Sequence, residues 1–193
     1  YEGLAEYVIS ALLGHSSLES GEYVSYETEE IRYGLRAYLG CRSKNFLPAG
    51  WQIITLERLF QNFYGQSLNK SLYSIENHEH RLSFLVEQTE RITGMKNFGV
   101  YIGKLLTVDT FFKNEDRHTH NIAVLLDEAG VYHNCPIFDN GAALLSDTTM
   151  DYPLGVEAES LMGKAEPKTF CRDFDEQLDA AEALYGVQVQ FDF

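Results

Sequence analysis

Asp109-Thr-Phe-Phe-Lys-Asn-Glu-Asp116-Arg-His-Thr-His-Asn121 is followed by Ile122-Ala-Val-Leu-Leu126, a polar Asp127-Glu-Ala-Gly130, and Val131-Tyr-His-Asn-Cys-Pro-Ile-Phe-Asp139-Asn-Gly141. Two apolar runs joined by a short polar turn read as a β-hairpin. A hairpin brings its open ends together, and paired strands lie about 5 Å apart. Asn121 and Asp139, eighteen positions apart in the chain, are therefore expected to be neighbours. Asp116 lies five residues before Asn121, on the loop that feeds the hairpin. A carboxylate, a carboxamide and a second carboxylate then converge. Three hard oxygen donors suit Mg²⁺, which prefers carboxylate, amide oxygen, water and substrate phosphate to an all-protein cage.

Composition bounds what such a site can belong to. With 193 residues, 45% hydrophobic and 13% aromatic, the chain can bury one good core or divide it between a small and a larger lobe. A net charge of −14, unrelieved by any basic stretch, argues against broad contact with a nucleic-acid backbone or an anionic membrane. No run approaches the roughly 18 to 20 apolar residues of a membrane span, and no charged-then-apolar leader opens the sequence. Cys41, Cys135 and Cys171 are odd in number, widely spaced and free of any Cys-x-x-Cys, which points away from disulfides and towards a reducing cytoplasm.

Taken in order, residues 2–14 have helical spacing through Leu4, Val8 and Leu12, ended by Gly14. Tyr1 stands inside or just before that helix, which suggests a chain whose beginning is missing. Residues 21–31 read as a strand. The words Gly40-Cys-Arg-Ser-Lys-Asn45 and Pro48-Ala-Gly50 read as turns, and Gln52-Ile-Ile54 as a piece completing a small sheet. Thr55 is a helix N-cap with Gly65 closing the helix. Residues 77–93 make an amphipathic helix ended by Gly94, 96–113 a more apolar helix, and 174–185 a last helix before Gly186.

The spacing Asp-x-x-x-x-Asn is that of a kinase catalytic loop, and an Asp-x-Gly after the next hairpin is its metal-binding partner. Asp116-Arg117-His118-Thr119-His120-Asn121 follows both the phosphoinositide-kinase pattern Asp-Arg-His-x-x-Asn and the HipA-like pattern Asp-x-His-x-x-Asn. With the flanking Cys135-Pro-Ile-Phe-Asp-Asn-Gly141 and the segment Gly40 to Phe46, residues 1–175 resemble the HipA-like C-terminal kinase domain. The resemblance implies an α+β, protein-kinase-like bilobal fold. Residues 1–54 would be the remainder of a partly β small lobe with its hinge, apparently truncated, and residues 55–193 a mainly helical large lobe. It implies ATP and Mg²⁺ as cofactors. Asp116 would orient the acceptor hydroxyl and take its proton, while Asn121 and Asp139 hold the metal. Glu6, with Glu2 as second candidate, would sit on the helix that pairs with the nucleotide-binding lysine. Arg117 would neutralise phosphate charge or pin the following segment, and His118 would support the loop. HipA-like proteins are serine/threonine protein kinases, some of them toxins with antitoxin partners, so the implied partners are a nucleotide and a protein substrate, an antitoxin-like one among the candidates.

Three other readings compete. Asp116-Arg117-His118 keeps a lipid kinase in view, against which the −14 charge weighs. Asp116, His118, His120 and His133 offer a transition-metal set for a hydrolase. The sequence has no Gly-rich loop and no strand lysine before the first helix, which leaves room for a kinase fold kept as a binding module. Cys41 reads as a packed thiol, and His78 and His80 as solvent-facing residues at a helix start.

Overall fold

The computed structural model describes residues 1–192. It opens with α1 (Glu2–Leu13), whose Ala5, Ile9 and Leu13 turn inward at the i, i+4 spacing of one helix face, with Glu6 buried beside them. Two antiparallel strands follow, β1 (Tyr26–Tyr33) and β2 (Arg36–Ser43), turning at Gly34 with φ 62°. Helix and hairpin touch backbone to backbone. A Cβ on Gly3 would stand 2.9 Å from the carbonyl carbon of Gly40, and one on Gly40 would stand 2.4 Å from Ile31 Cδ1.

Residues 40–43 are therefore not a turn. They lie in β2, with Gly40 opposite Glu29 and Cys41 opposite Thr28, and the glycine serves close approach. The strand expected over 21–31 begins only at Tyr26. Before it, Tyr23 bridges to Ile137, and Val24 N–H donates to the Ile137 carbonyl at 2.9 Å.

A second correction concerns β3 (Gln52–Thr55), which does not extend β1–β2. It pairs antiparallel with β4 (Ala123–Leu126), Ile54 opposite Val124, and β4 pairs in turn with β5 (Tyr132–Asn134). Ala123, Val124 and Leu125 are all buried. A buried strand needs partners on both edges for its backbone groups, and β3 supplies the second edge. The pairing continues past the strands, with Leu56 N–H on the Ile122 carbonyl at 2.8 Å and Glu57 N–H on the Thr119 carbonyl at 3.0 Å.

The helical part comprises α2 (Leu56–Tyr64), α3 (Leu68–Tyr73), α4 (His78–Thr93), α5 (Phe98–Phe112), α6 (Ala158–Met162) and α7 (Phe174–Tyr185). Thr55, Ser67, Asn77 and Asp173 cap α2, α3, α4 and α7 through their side chains, and Gly65 and Gly94 close α2 and α4 in the left-handed region. The short α3 and α6 have too few turns to carry a period. α5 runs through the centre with Ile102, Leu105, Leu106, Val108 and Phe112 all buried. It comes so close to α7 that a Cβ on Gly99 would meet the Tyr185 ring at 2.4 Å. The result is a mixed α+β architecture, a small sheet-bearing part against a larger helical one, as the sequence leads one to expect. Among the described residues no helix is long and apolar enough to cross a membrane.

Gly3→Ala tests the contact of α1 with β2. Alanine improves helix propensity by up to about 1 kcal/mol, but overpacking against fixed backbone costs about 1 to 3 kcal/mol. Urea unfolding is expected to show a net loss, and a net gain would mean that α1 can slide away from the strand.

Candidate active site

Arg117 is 3% exposed and holds this region together. Its Nε donates to Asp109 Oδ2 at 2.9 Å, and Nη2 donates to Asp109 Oδ1 at 2.9 Å and to Asn140 Oδ1 at 2.8 Å. Nη1 donates to the carbonyls of Phe138 at 2.8 Å and Asn121 at 3.3 Å. One guanidinium thus ties the end of α5 to both open ends of the β4–β5 hairpin. Burial works against its charge and Asp109 more than compensates, so the group stays above its ordinary range. The sequence offers Arg117 a phosphate-facing or segment-pinning part, with a structural one favoured. The five N–H groups of a guanidinium are here spent inside the protein, so its part is positional.

Around that anchor the loop is fixed by its own side chains. Asn114 Nδ2 donates to Asp109 Oδ1 at 2.9 Å, while its Oδ1 accepts from Asp116 N–H at 3.2 Å. Asn121 closes the loop from the other side, Oδ1 accepting from His118 N–H at 2.7 Å and Nδ2 donating to the Asp116 carbonyl at 2.8 Å. An amide oxygen has two lone pairs, so one acceptor site on Asn121 is left over. Asp116 itself stays at the surface, its side chain 43% exposed, with His118 Nε2 3.8 Å from Oδ2. The His118 ring also accepts from His120 N–H at 3.3 Å.

Asp139 adopts φ 62°, a left-handed conformation, directly after Phe138 is fixed by Arg117. It lines a cavity of about 500 Å³ with Glu2, Glu6 and Asp147, beside a second of about 360 Å³ lined by Asp116, Glu115 and Lys168. Glu2, Ser146 and Asp147 belong to both walls, so the two cavities adjoin. Glu6 reaches in from α1 and accepts from Asn140 N–H through Oε1 at 2.9 Å. Its buried Oε2 has no hydrogen-bond partner. Burial, joined by the nearby Asp139 charge and opposed by the Asn140 N–H, pushes the Glu6 carboxyl up to about 7.

Lys168 was not anticipated. Its ammonium pairs with Asp116 Oδ1, and its backbone is held in place on both sides. The Lys168 carbonyl accepts from Tyr73 Oη at 3.0 Å, Thr169 Oγ1 donates to the Arg117 carbonyl at 2.8 Å, and Arg81 Nη1 donates to the carbonyls of Thr169 and Phe170 at 3.0 Å each. Fifty-two positions separate Lys168 from Asp116, and no spacing rule links residues so far apart. The transition-metal set does not assemble. His133 stacks on Trp51 at 4.6 Å and pairs with Asp127 at 3.0 Å, and the rings of His118 and His120 meet edge-on at 5.7 Å.

Asp139 and Asn121 each offer a hard oxygen donor of the kind Mg²⁺ takes; Asp139 lines the cavity of about 500 Å³, while Asn121 is on the wall of neither acidic cavity. The orphaned Oε2 of Glu6 fits a cationic group.

Two outcomes test this geometry. Removing one partner of a buried ion pair costs about 3 to 5 kcal/mol, so Asp109→Asn and Arg117→Met are each expected to lower urea stability by that order, and their combination by less than the sum. Glu6 gives a pH signature. Between its ordinary value of 4.5 and about 7 the folded chain holds a proton that the unfolded chain has lost. Stability therefore falls across that window as pH rises. Glu6→Gln should be neutral near pH 4 and stabilising at pH 8 by on the order of 1 to 3 kcal/mol. Equal effects at both pH values would refute the buried-carboxyl assignment.

No protein-family model matches the chain, and no curated protein does. Among solved structures, the crystal structure of a Helicobacter pylori proinflammatory kinase, CtkA, is similar to 75% of this chain, with a TM-score of 0.48 and 21% identity. The match covers 45% of that chain, so the present sequence spans less than half the length of the structure it resembles.

Proposed function

We propose that this chain carries the site of an ATP- and Mg²⁺-dependent phosphotransferase, of the HipA-like serine/threonine protein kinase type, acting in the cytoplasm. The observation that carries the reading is the Arg117 anchor. It bonds the carbonyls of Asn121 and Phe138 at once, which holds the residues before and at the two ends of the hairpin in one fixed relation, and the reading takes Asp116, Asn121 and Asp139 from that frame. Catalysis of this kind is positioning and charge neutralisation.

In this reading Asp116 accepts the proton of the acceptor hydroxyl. Its surface position suits a group that meets substrate. Lys168 brings a fixed positive charge beside it, where phosphate charge develops. Asn121 and Asp139 would hold the metal, which when bound screens the nucleotide phosphates. Arg117, Asp109 and Asn114 keep the loop from moving. Glu6 locks α1 onto Asn140 and offers its second oxygen to a cation, the part a nucleotide-binding lysine has in kinases. Residues 1–54 would then form the nucleotide-facing lobe and residues 55–193 the acceptor-facing one.

The surroundings of Asp116 favour a protein acceptor over an anionic lipid headgroup. Glu2, Glu115, Asp147, Asp151 and Glu166 line the adjoining cavity with Lys168 as its single cation. Such a wall repels a phosphorylated headgroup and accommodates a neutral or basic peptide segment, an antitoxin-like protein included.

Radiolabelled-phosphate transfer from Mg²⁺-ATP to a generic protein tests the reading, with the chain taken alone and in a form extended before Tyr1. Asp116→Asn and Asp139→Asn should each reduce transfer by about 10²-fold or more while leaving the circular dichroism spectrum unchanged. Undiminished transfer in either variant would sink the assignment. No ATP binding in either length of chain would make the same fold a binding module.

A further inference from the structure

We propose that His78, Cys171 and Glu176 form a binding site for a thiolate-seeking divalent metal, Zn²⁺ by ligand chemistry, separate from the residues of the Asp116 loop. The three residues come from separate places: His78 is the first residue of α4, Cys171 lies in the connection before α7, and Glu176 is in the first turn of α7. Their donor atoms converge. Cys171 Sγ is 3.1 Å from His78 Nδ1 and 3.3 Å from Glu176 Oε2, and Nδ1 is 3.8 Å from Oε2. Among the described residues this is the group of histidine, cysteine and carboxylate side chains whose ligand atoms all lie within 4.8 Å of one another.

The size of that triangle is informative. Zinc bonds of about 2.3 Å to sulfur and about 2.0 to 2.2 Å to nitrogen and oxygen, at tetrahedral angles, put the donor atoms about 3.4 to 3.6 Å apart. The separations in the cluster, 3.1, 3.3 and 3.8 Å, bracket those values. The sulfur is buried, while the His78 and Glu176 side chains are 39% and 66% exposed. The exposed His78 ring and Glu176 carboxylate can turn onto a metal, and a fourth position is left to water. A mixed sulfur, nitrogen and oxygen set selects zinc over magnesium.

The sulfur's surroundings act in both directions, burial first against its charge. Backbone N–H groups of Arg172 and Asp173 act on Sγ and favour its charged form. Without a metal, burial pushes the Cys171 thiol up, against those N–H groups, and Glu176 adds to the rise. A protonated thiol is a poor nucleophile, so the cluster does not read as a cysteine hydrolase triad. Metal binding would replace the thiol proton, which passes to solvent.

The site also closes a joint that protein bonds already begin. Arg81, one turn after His78 on α4, grips the carbonyls of Thr169 and Phe170, and the metal would tie His78 to the next residue, Cys171. Both clamps act on the segment that delivers Lys168 to Asp116.

The test is a titration of the reduced, chelator-treated protein with Co²⁺, followed by Zn²⁺. One equivalent of Co²⁺ should give a near-ultraviolet thiolate-to-cobalt band with visible bands of tetrahedral intensity, which zinc abolishes and excess Mg²⁺ does not. Cys171→Ser should remove the ultraviolet band, and His78→Ala should weaken binding tenfold or more. Glu176→Gln, at an exposed position that cannot unfold the chain, should weaken it at least severalfold. Zinc should raise the melting temperature of the parent protein and leave that of Cys171→Ser unchanged. The proposal is overturned if no thiolate band forms at equimolar cobalt, or if the band persists in Cys171→Ser, which would place the metal at Cys41 or Cys135. It is equally overturned if Glu176→Gln and His78→Ala bind as the parent does.

Discussion

A single buried ion pair sets the geometry on which the candidate site depends. Asp109 and Arg117 lie eight residues apart, the first on the last turn of α5 and the second on the loop that follows. Both are withdrawn from water. Taking two charges from water is costly, and the cost is recovered only where every remaining donor and acceptor finds a partner. Here the remaining donors of Arg117 find the backbone of the hairpin, and the remaining acceptor capacity of Asp109 finds Asn114. A hydrophobic pair of the same volume could fill the space. It could not define where the Asn121 and Phe138 carbonyls stand relative to each other, because dispersion contacts have no direction.

That division explains how much of the molecule was legible in its sequence. The β4–β5 hairpin and the loop bond from Asn121 to the Asp116 carbonyl follow from local rules of turn and strand, without knowledge of the rest. The capped helices were legible for the same reason: Thr55, Gly65 and Gly94 act within one turn of their own backbone. Gly40 was misread because a glycine that lets α1 lie on a strand looks, in sequence, like a glycine that turns the chain. The partner of Gln52–Thr55 was misassigned because a four-residue strand has no period long enough to say which sheet it joins. Lys168 and the convergence of His78 with Cys171, ninety-three positions apart, were invisible, since each depends on how the chain between them packs.

Glu6 joins the two kinds of information. The periodicity of residues 2–14 places it on a helix, but that face carries Ala5 and Ile9 inward, so a glutamate there should point to water unless something holds it. The Asn140 N–H holds one oxygen, and the other is left without a partner in a buried position. A carboxyl group in that state favours its neutral form until a cation arrives. The contact fastens α1 to the Asp139 turn through a carboxyl group whose second oxygen lies unpartnered beside the neighbouring cavity.

The backbone after the hairpin shows the same economy. Asp139, Leu144 and Leu145 have φ of 62°, 56° and 55°, a conformation aspartate tolerates and leucine resists. Each such residue costs on the order of 1 to 3 kcal/mol and persists only where its surroundings over-determine it. The surroundings do so. Leu144 N–H donates to the Phe112 carbonyl at 2.8 Å, and Ser146 Oγ donates to the Gly141 carbonyl at 2.6 Å. Phe112 ends the helix that carries Asp109, so the same α5 terminus fixes Arg117 on one side and the strained segment on the other. With both held, the chain reverses sharply enough for the Asp139 carboxylate to face the cavity shared with Glu6. A relaxed, extended path through residues 139–146 would satisfy the backbone at less cost, and it would not hold Asp139 on the cavity wall it shares with Glu6.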